Sequence, residues 1–154
     1  GLVSASILFL LVAAGLYSRM LSMAGVPQAI GDAVEHLGLG PYGFLLCFVV
    51  IILLMGMILD STSILLIMVP IGAPIATAMG FDLIHFGIVT IIAVEMGLLT
   101  PPFGISVFTV KATLADPKVG IETIFAGALP FVAVMGVSLL AIALVPWLST
   151  ALVR

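Results

Sequence analysis

The sequence predicts an all-α polytopic membrane protein, and three observations carry that prediction. First, 64% of the 154 residues are hydrophobic, with only four basic and seven acidic side chains, whereas soluble domains are about 45–50% apolar and about 25% charged. A globule of this size exposes much of its surface and could not cover it with so few ionised groups. Second, uncharged apolar runs recur at bilayer length, since a hydrocarbon core of about 30 Å takes roughly 20 helical residues and leaves room here for about five or six segments. Third, the runs are punctuated by Gly, Pro and the few charged residues. The net charge of −3 includes no basic cluster for nucleic acid and no polybasic stretch for anionic lipid. Cys47 is the only cysteine; it forms no internal disulfide and reads as packing. The chain opens at Gly1 inside an apolar stretch, so it is expected to be an internal segment, with Arg154 as the natural end of the parent.

Residues Leu2 to Met23 form the first expected membrane helix, with Arg19 near its end and able to snorkel. Gly25-Val26-Pro27 breaks the chain. Gln28 to Leu37 then sets Asp32, Glu35 and His36 against apolar positions, as in a short amphipathic helix at the interface, and Gly38-Leu39-Gly40-Pro41 ends it. Tyr42 to Leu59 and Ile64 to Met79 are uncharged runs flanking Asp60-Ser61-Thr62-Ser63. They are either two full helices meeting at a surface turn or two arms of a re-entrant hairpin. The hairpin is favoured because Pro70 and Pro74 leave only short uninterrupted helical stretches and because the tip lacks the residues of an aqueous turn.

Gly80-Phe81-Asp82 is a turn with Asp82 as the cap of the next helix. That helix runs from Leu83 through Glu95 to Gly97-Leu98-Leu99-Thr100-Pro101-Pro102-Phe103-Gly104 and resumes from Ile105 to Leu114. Adjacent prolines remove two donors and clash with the preceding turn, so a broken membrane helix is expected. Ala115 to Gly120 is the most polar loop, Val119 to Ala126 a second interfacial helix, and Leu129 to Leu148 a last crossing with Trp147 in the aromatic belt. Three units follow: 1–40, a membrane helix with its interfacial helix; 41–115, holding the hairpin 42–79 and the broken helix 83–114; and 116–154, the loop and final helix. Arg19 and Arg154 balance Lys111 and Lys118, so the positive-inside rule gives no orientation.

Catalytic machinery is absent from the motifs: there is no H-E-x-x-H, Cys-x-x-Cys, G-x-S-x-G or phosphate-cradling Gly-Lys-Ser loop. No enzyme and no cofactor are expected. His36 and His85 read as interfacial or capping residues, and Met55, Met57, Met68, Met79 and Met96 as adaptable packing.

The two interruptions carry the chemistry instead. A helical carbonyl bonds the amide four residues on, so Gly97 and Leu98 lose their partners to Pro101 and Pro102. An unpaired carbonyl in hydrocarbon costs a few kcal/mol, and such a break persists only where it lines a cavity or binds something. A hard cation such as sodium suits those oxygens, joined by the Thr100 hydroxyl and the carbonyls up to Phe103. Beyond Pro102 the new helix turns amides and a positive dipole end to the midplane, suited to a carboxylate, with Gly104 and Ser106 at its start. The hairpin tip repeats this logic: Gly56 permits close backbone approach, and Ser61 and Thr62 open the second arm. Asp60 is a helix N-cap or a direct ligand of ion or substrate. Glu95 appears as the most buried acid, and either satisfies backbone near the break or serves function.

Gly56 to Ile71 (G-M-I-L-D-S-T-S-I-L-L-I-M-V-P-I), Gly80 to Gly87 (G-F-D-L-I-H-F-G) and Glu95 to Gly104 (E-M-G-L-L-T-P-P-F-G), with Ala128-Leu129-Pro130-Phe131 before the last helix, resemble the C-terminal half of the large membrane subunit of tripartite ATP-independent periplasmic (TRAP) transporters, the DctM-like permease family. The resemblance implies an elevator-type transporter, driven by a sodium gradient, that imports an organic acid delivered by a soluble periplasmic binding protein across a bacterial or archaeal inner membrane. It implies two inverted repeats, each with a re-entrant hairpin and a broken helix, with this chain as the second. Gly56, Gly97, Thr100 and Phe103 would then supply one sodium site. Asp60, Ser61, Thr62, Glu95, Pro101, Pro102, Gly104 and Ser106 would face or gate the substrate. The hairpin would face the periplasm, and the partners would be the rest of the large subunit, the small membrane subunit, the binding protein and the bilayer. Four-carbon dicarboxylates, sialic acids and other organic acids all fit amide-rich helix ends. The alternatives are another ion-coupled anion transporter, such as a divalent anion symporter, and a non-transporting membrane assembly subunit.

Overall fold

The computed structural model describes residues 2–114 and 119–151, and all regular secondary structure in that range is helical. Helix α1 (Leu2–Met23) leads into α2 (Val26–His36), followed by α3 (Gly40–Gly56) and α4 (Ser61–Ala78). Helices α5 (Leu83–Leu99) and α6 (Ile105–Leu114) come next, then α7 (Ile121–Leu144) and a single turn, α8 (Trp147–Thr150). By length and composition α1, α4 and α7 can each cross a membrane. Their outward faces are exposed apolar surface, Phe9 and Leu16 on α1 and Phe131 and Val137 on α7 among them, which is the pattern of helices solvated by lipid rather than water. Cys47 also lies exposed on α3 rather than packed inside, an expectation overturned because the buried face of that helix is taken by Phe44, Leu45, Phe48, Val49 and Ile52.

Helix α5 is the core element. Phe86, Val89, Ala93, Val94 and Leu98 on it are buried together with Phe48 and Ile52 of α3 and Ile64, Met68 and Ile75 of α4. Phe48 sits between Phe44 and Phe86, with ring centroids 5.8 and 4.8 Å away, both within the range of favourable aromatic pairing. Gly72 of α4 lies under this group, and a β-carbon there would come 2.9 Å from Phe86 Cζ and strike the Phe48 ring. Gly72→Ala is therefore expected to destabilise the fold by about 1–3 kcal/mol, the usual cost of overpacking a filled core. A lowered thermal midpoint of the purified protein is the measurement that checks it.

Several expected boundaries shift. The prolines of α4 do not divide it: Pro70 and Pro74 lie inside one helix of 18 residues. Pro74 denies the Pro70 carbonyl its helical donor, and the Ser18 hydroxyl of α1 donates to that oxygen at 3.0 Å instead. A neighbouring helix thus repairs what the proline removes, as membrane helices allow. Val26 and Pro27 belong to α2 rather than to a break, because proline is tolerated in a first turn; the turn itself falls at Gly25, whose φ is +74°. The expected interfacial helix at 119–126 and the crossing at 129–148 merge into α7, with Pro130 inside it, and the real stop comes at Val145-Pro146, after which only the Trp147 turn remains. One proline removes one ladder bond and leaves the helix standing where both flanks are strong formers. Of the polar loop, 115–118 lies outside the described residues, and so does Lys118; Arg154 and Gly1 lie outside them too.

His85 is buried, 1% exposed, and stacks near Phe81 with ring centroids 6.2 Å apart. Its Nδ1 lies 2.9 Å from Ser149 Oγ, joining the start of α5 to α8. The expected interfacial or capping role is corrected: Asp82 is the cap, its carboxylate accepting from the Ile84 and His85 amides at 2.8 and 3.4 Å, while His85 packs inward.

Candidate ion and substrate site

Both expected interruptions are present, and they meet. The hairpin connection is residues 57–60 between α3 and α4, and the break in the second element is residues 100–104 between α5 and α6. Gly56, the last residue of α3, lies against Gly97 near the end of α5: a β-carbon on Gly56 would fall 2.8 Å from the Gly97 Cα, and one on Gly97 would fall 2.9 Å from the Gly56 Cα and 3.0 Å from the Leu53 carbonyl oxygen. Only two glycines allow backbones to approach so closely. The carboxyl ends of two helices therefore converge, each carrying about half a negative charge from its unpaired carbonyls.

The carbonyls at this junction are partly satisfied. Residues Met57, Ile58 and Leu59 turn their amides back onto the Leu53 and Met55 oxygens at 2.8–3.3 Å. Gly97 was expected to have an orphan carbonyl, yet that oxygen accepts the Thr100 amide at 3.1 Å, a tightened last turn of the kind helix ends adopt. The Thr100 hydroxyl donates to the Met96 carbonyl at 2.6 Å, which leaves its oxygen lone pairs available to a cation. Among the described residues no donor reaches the Gly56 or the Leu98 carbonyl. The Gly56 and Leu98 carbonyls and the Thr100 oxygen, beside two negative helix ends, are oxygen donors of the kind a hard cation takes, and poor ones for a transition metal, which favours nitrogen or sulfur.

Phe103 is 58% exposed. Its ring lines an open apolar groove of about 510 Å³ with Met57 and Ile58 of the hairpin connection and Ile105, Phe108 and Thr109 of α6. Pro101 and Pro102, joined by a cis peptide bond, are exposed, Gly104 is buried and Ser106 half-buried at the start of α6. Gly104 has φ +32°, and its carbonyl accepts the Val107 amide at 2.8 Å, opening the new helix.

Not every expected site residue joins this junction. Asp60 is exposed and acts as the N-cap of α4, its carboxylate accepting the Ser63 amide at 3.0 Å and the Ser63 hydroxyl at 2.5 Å. Ser61 is half-buried in the first turn of that helix. Thr62 turns toward α1 and α5, lining an apolar cleft of about 360 Å³ with Ile7, Leu11, Gly87 and Thr90, away from the break. Glu95 was expected to be the most buried acid and is exposed instead. Its neighbours Ala93, Val94, Gly97 and Leu98 take the inward face of α5, and the helical period puts residue 95 outside. The contact of Gly56 with Gly97 was not foreseen as such; two glycines near the ends of two apolar helices were its signal.

Among the described residues, three helices long and apolar enough to cross a bilayer, together with a hairpin whose connection rests on a broken helix, mark a polytopic membrane protein. The chain belongs to the family described as "Tripartite ATP-independent periplasmic transporter, DctM component", whose model matches residues 1–148. It is 34% identical over 99% of its length to the C4-dicarboxylate TRAP transporter large permease protein DctM of Pseudomonas aeruginosa, covering 35% of that protein. It is 33% identical over 97% of its length to the protein of the same name from Vibrio cholerae, covering 32%. Similarity extends to the ectoine TRAP transporter large permease protein TeaC of Halomonas elongata, 35% identical over 86% of this chain and 30% of the relative. Where half of a large permease was expected, the chain covers about a third of the length of these permeases. These relatives are permeases, not enzymes, and the family match selects this reading over a divalent anion symporter. No solved structure matches the chain.

Proposed function

We propose that this chain forms one repeat of a sodium-coupled TRAP permease that imports an organic acid by an elevator motion. The observation that carries the reading is the backbone contact of Gly56 with Gly97, which joins two helix carboxyl ends at a point where the Gly56 and Leu98 carbonyls have no donor among the described residues. In this reading α3 and α4 are the arms of a re-entrant hairpin, and sodium binds through the Gly56 and Leu98 carbonyls, the Thr100 oxygen and the carbonyls up to Phe103. Gly97 contributes close approach rather than a free oxygen. Sodium neutralises the two dipole ends and so fixes the hairpin connection on the break. The amides opening α6, with Gly104 and Ser106, then face the carboxylate of the substrate, and the groove beside Phe103 receives the rest of the transport domain.

Relatives named for C4-dicarboxylates and for ectoine are both similar to most of this chain, which supports a carboxylate site whose selectivity comes from outside this chain. The small membrane subunit, the periplasmic binding protein and an inner-membrane location complete the proposal.

The test uses this chain in lipid nanodiscs, with Cys47→Ala removing the exposed native thiol and Ile105→Cys placing a reporter in the groove beside the break. Sodium is expected to slow maleimide labelling of the introduced thiol in a saturable way, while equal concentrations of potassium or choline leave it unchanged. Identical labelling in all three salts would remove the sodium site from this chain.

A further inference from the structure

The second half of the broken helix has little hold on the core. Among the residues of α6 only Val107 is buried, and Phe108, Thr109 and Val110 are exposed. What fixes it comes from α7. At the start of α6, a β-carbon on Gly104 would lie 3.0 Å from Cε1 and 3.3 Å from Cζ of Phe125, and 3.2 Å from the Leu98 carbonyl oxygen. The ring edge of a residue on α7, the positive-φ glycine that opens α6 and the Leu98 carbonyl in the last turn of α5, which has no donor among the described residues, thus converge on one space the size of a methyl group. At the other end of α6, Lys111 Nζ donates to the Val119 carbonyl just before α7. Helix α6 is clasped to α7 at both ends.

We propose that Phe125 is a positioning residue for the break: its ring is the wedge that sets the separation between the Leu98 carbonyl and the first amides of α6. An aromatic edge suits the place, because ring hydrogens carry partial positive charge and tolerate a carbonyl nearby, while the ring keeps water from that side of the oxygen. With the ring removed, Gly104 has no wall to pack on, α6 can swing about the glycine, and the Leu98 oxygen gains access to water. The ion-binding part of this inference rests on the sodium reading above; the positioning part does not.

Two readouts separate them, both on this chain in nanodiscs in the Cys47→Ala, Ile105→Cys background. Phe125→Ala is expected to raise hydrogen exchange of the Val107 and Phe108 amides, whose acceptor is the Gly104 carbonyl, while exchange in α3 and α4 stays as it was. It is also expected to weaken sodium protection of the introduced thiol about 10-fold, the loss usual when a supporting residue behind a ligand is removed, with the thermal midpoint little changed. Phe125→Tyr keeps the edge and should retain both properties. Unchanged exchange at Val107 and Phe108 in Phe125→Ala overturns the wedge. Should that variant fail to fold, Phe125→Leu, which keeps bulk without the flat edge, is read against the same two measurements, and exchange equal to the parent overturns the wedge again. Raised exchange together with no sodium protection even in the parent chain overturns the sodium reading and leaves the positioning role standing.

Discussion

Gly97→Ala is expected to push the hairpin off the broken helix and to abolish sodium protection at the break. The added β-carbon would lie 2.9 Å from the Gly56 Cα and 3.0 Å from the Leu53 carbonyl oxygen. Both obstacles are backbone, so no rotamer change relieves the contact, and two helices must separate instead. Overpacking of flexible side chains costs about 1–3 kcal/mol, and a backbone obstacle belongs at or above the upper end of that range. The natural control lies on the same helix: a β-carbon on Gly87 meets nothing within 4 Å, so Gly87→Ala should leave stability unchanged or raise it by about 0.5–1 kcal/mol through helix propensity. Thermal unfolding of the two variants in nanodiscs checks the difference. Equal midpoints, with sodium protection kept in both, would show that the Gly56 and Gly97 contact neither holds the fold nor shapes the site.

That contact also marks how far the sequence could be read. Asp60, Asp82 and the paired prolines at 101 and 102 were legible because each acts locally: a carboxylate caps the amides just after it, and a proline removes a bond four residues back. The connection between α3 and α4 and the break between α5 and α6 lie at those marks. Glu95 was misjudged because uncharged neighbours along the chain say only that the run is apolar; which face turns inward depends on what packs there, and the small or branched residues at 93, 94, 97 and 98 occupy that face. Pro70 and Pro74 misled for the opposite reason. Their local effect is real, but the carbonyl that Pro74 leaves open is met by Ser18, 52 residues away, and no local pattern announces a donor on another helix. The Gly97 carbonyl lies between these cases: its helical partner is lost as expected, and the chain tightens by one residue so that Thr100 supplies another. Of the carbonyls read from the sequence as orphans, those of Leu98 and Gly56 have no donor among the described residues, while that of Gly97 is closed by Thr100.

Replacing Thr100-Pro101-Pro102 with three alanines is expected to abolish the sodium response altogether. Alanines at 101 and 102 return two amides to the ladder, the second of them positioned to bond the Leu98 carbonyl, and the residues between α5 and α6 can then close into one helix, since glycine at 104 accepts helical angles as readily as its present φ of +32°. The change also removes the Thr100 hydroxyl. In a full-length permease carrying this segment, sodium-dependent uptake should fall to background; in the chain itself, protection of the thiol at Ile105→Cys should vanish while the helical circular-dichroism signal rises. That pairing matters, because a loss of function accompanied by more helix cannot be assigned to unfolding, and sodium dependence that survives the replacement would remove the break from the mechanism. The single substitutions sharpen the argument. Pro102→Ala offers a donor to the Leu98 carbonyl, which has none among the described residues, whereas Pro101→Ala offers one to Gly97, whose oxygen already accepts from Thr100 at 3.1 Å. Pro102→Ala should therefore reproduce most of the loss and Pro101→Ala much less, and the reverse order would place the ion on the Gly97 carbonyl.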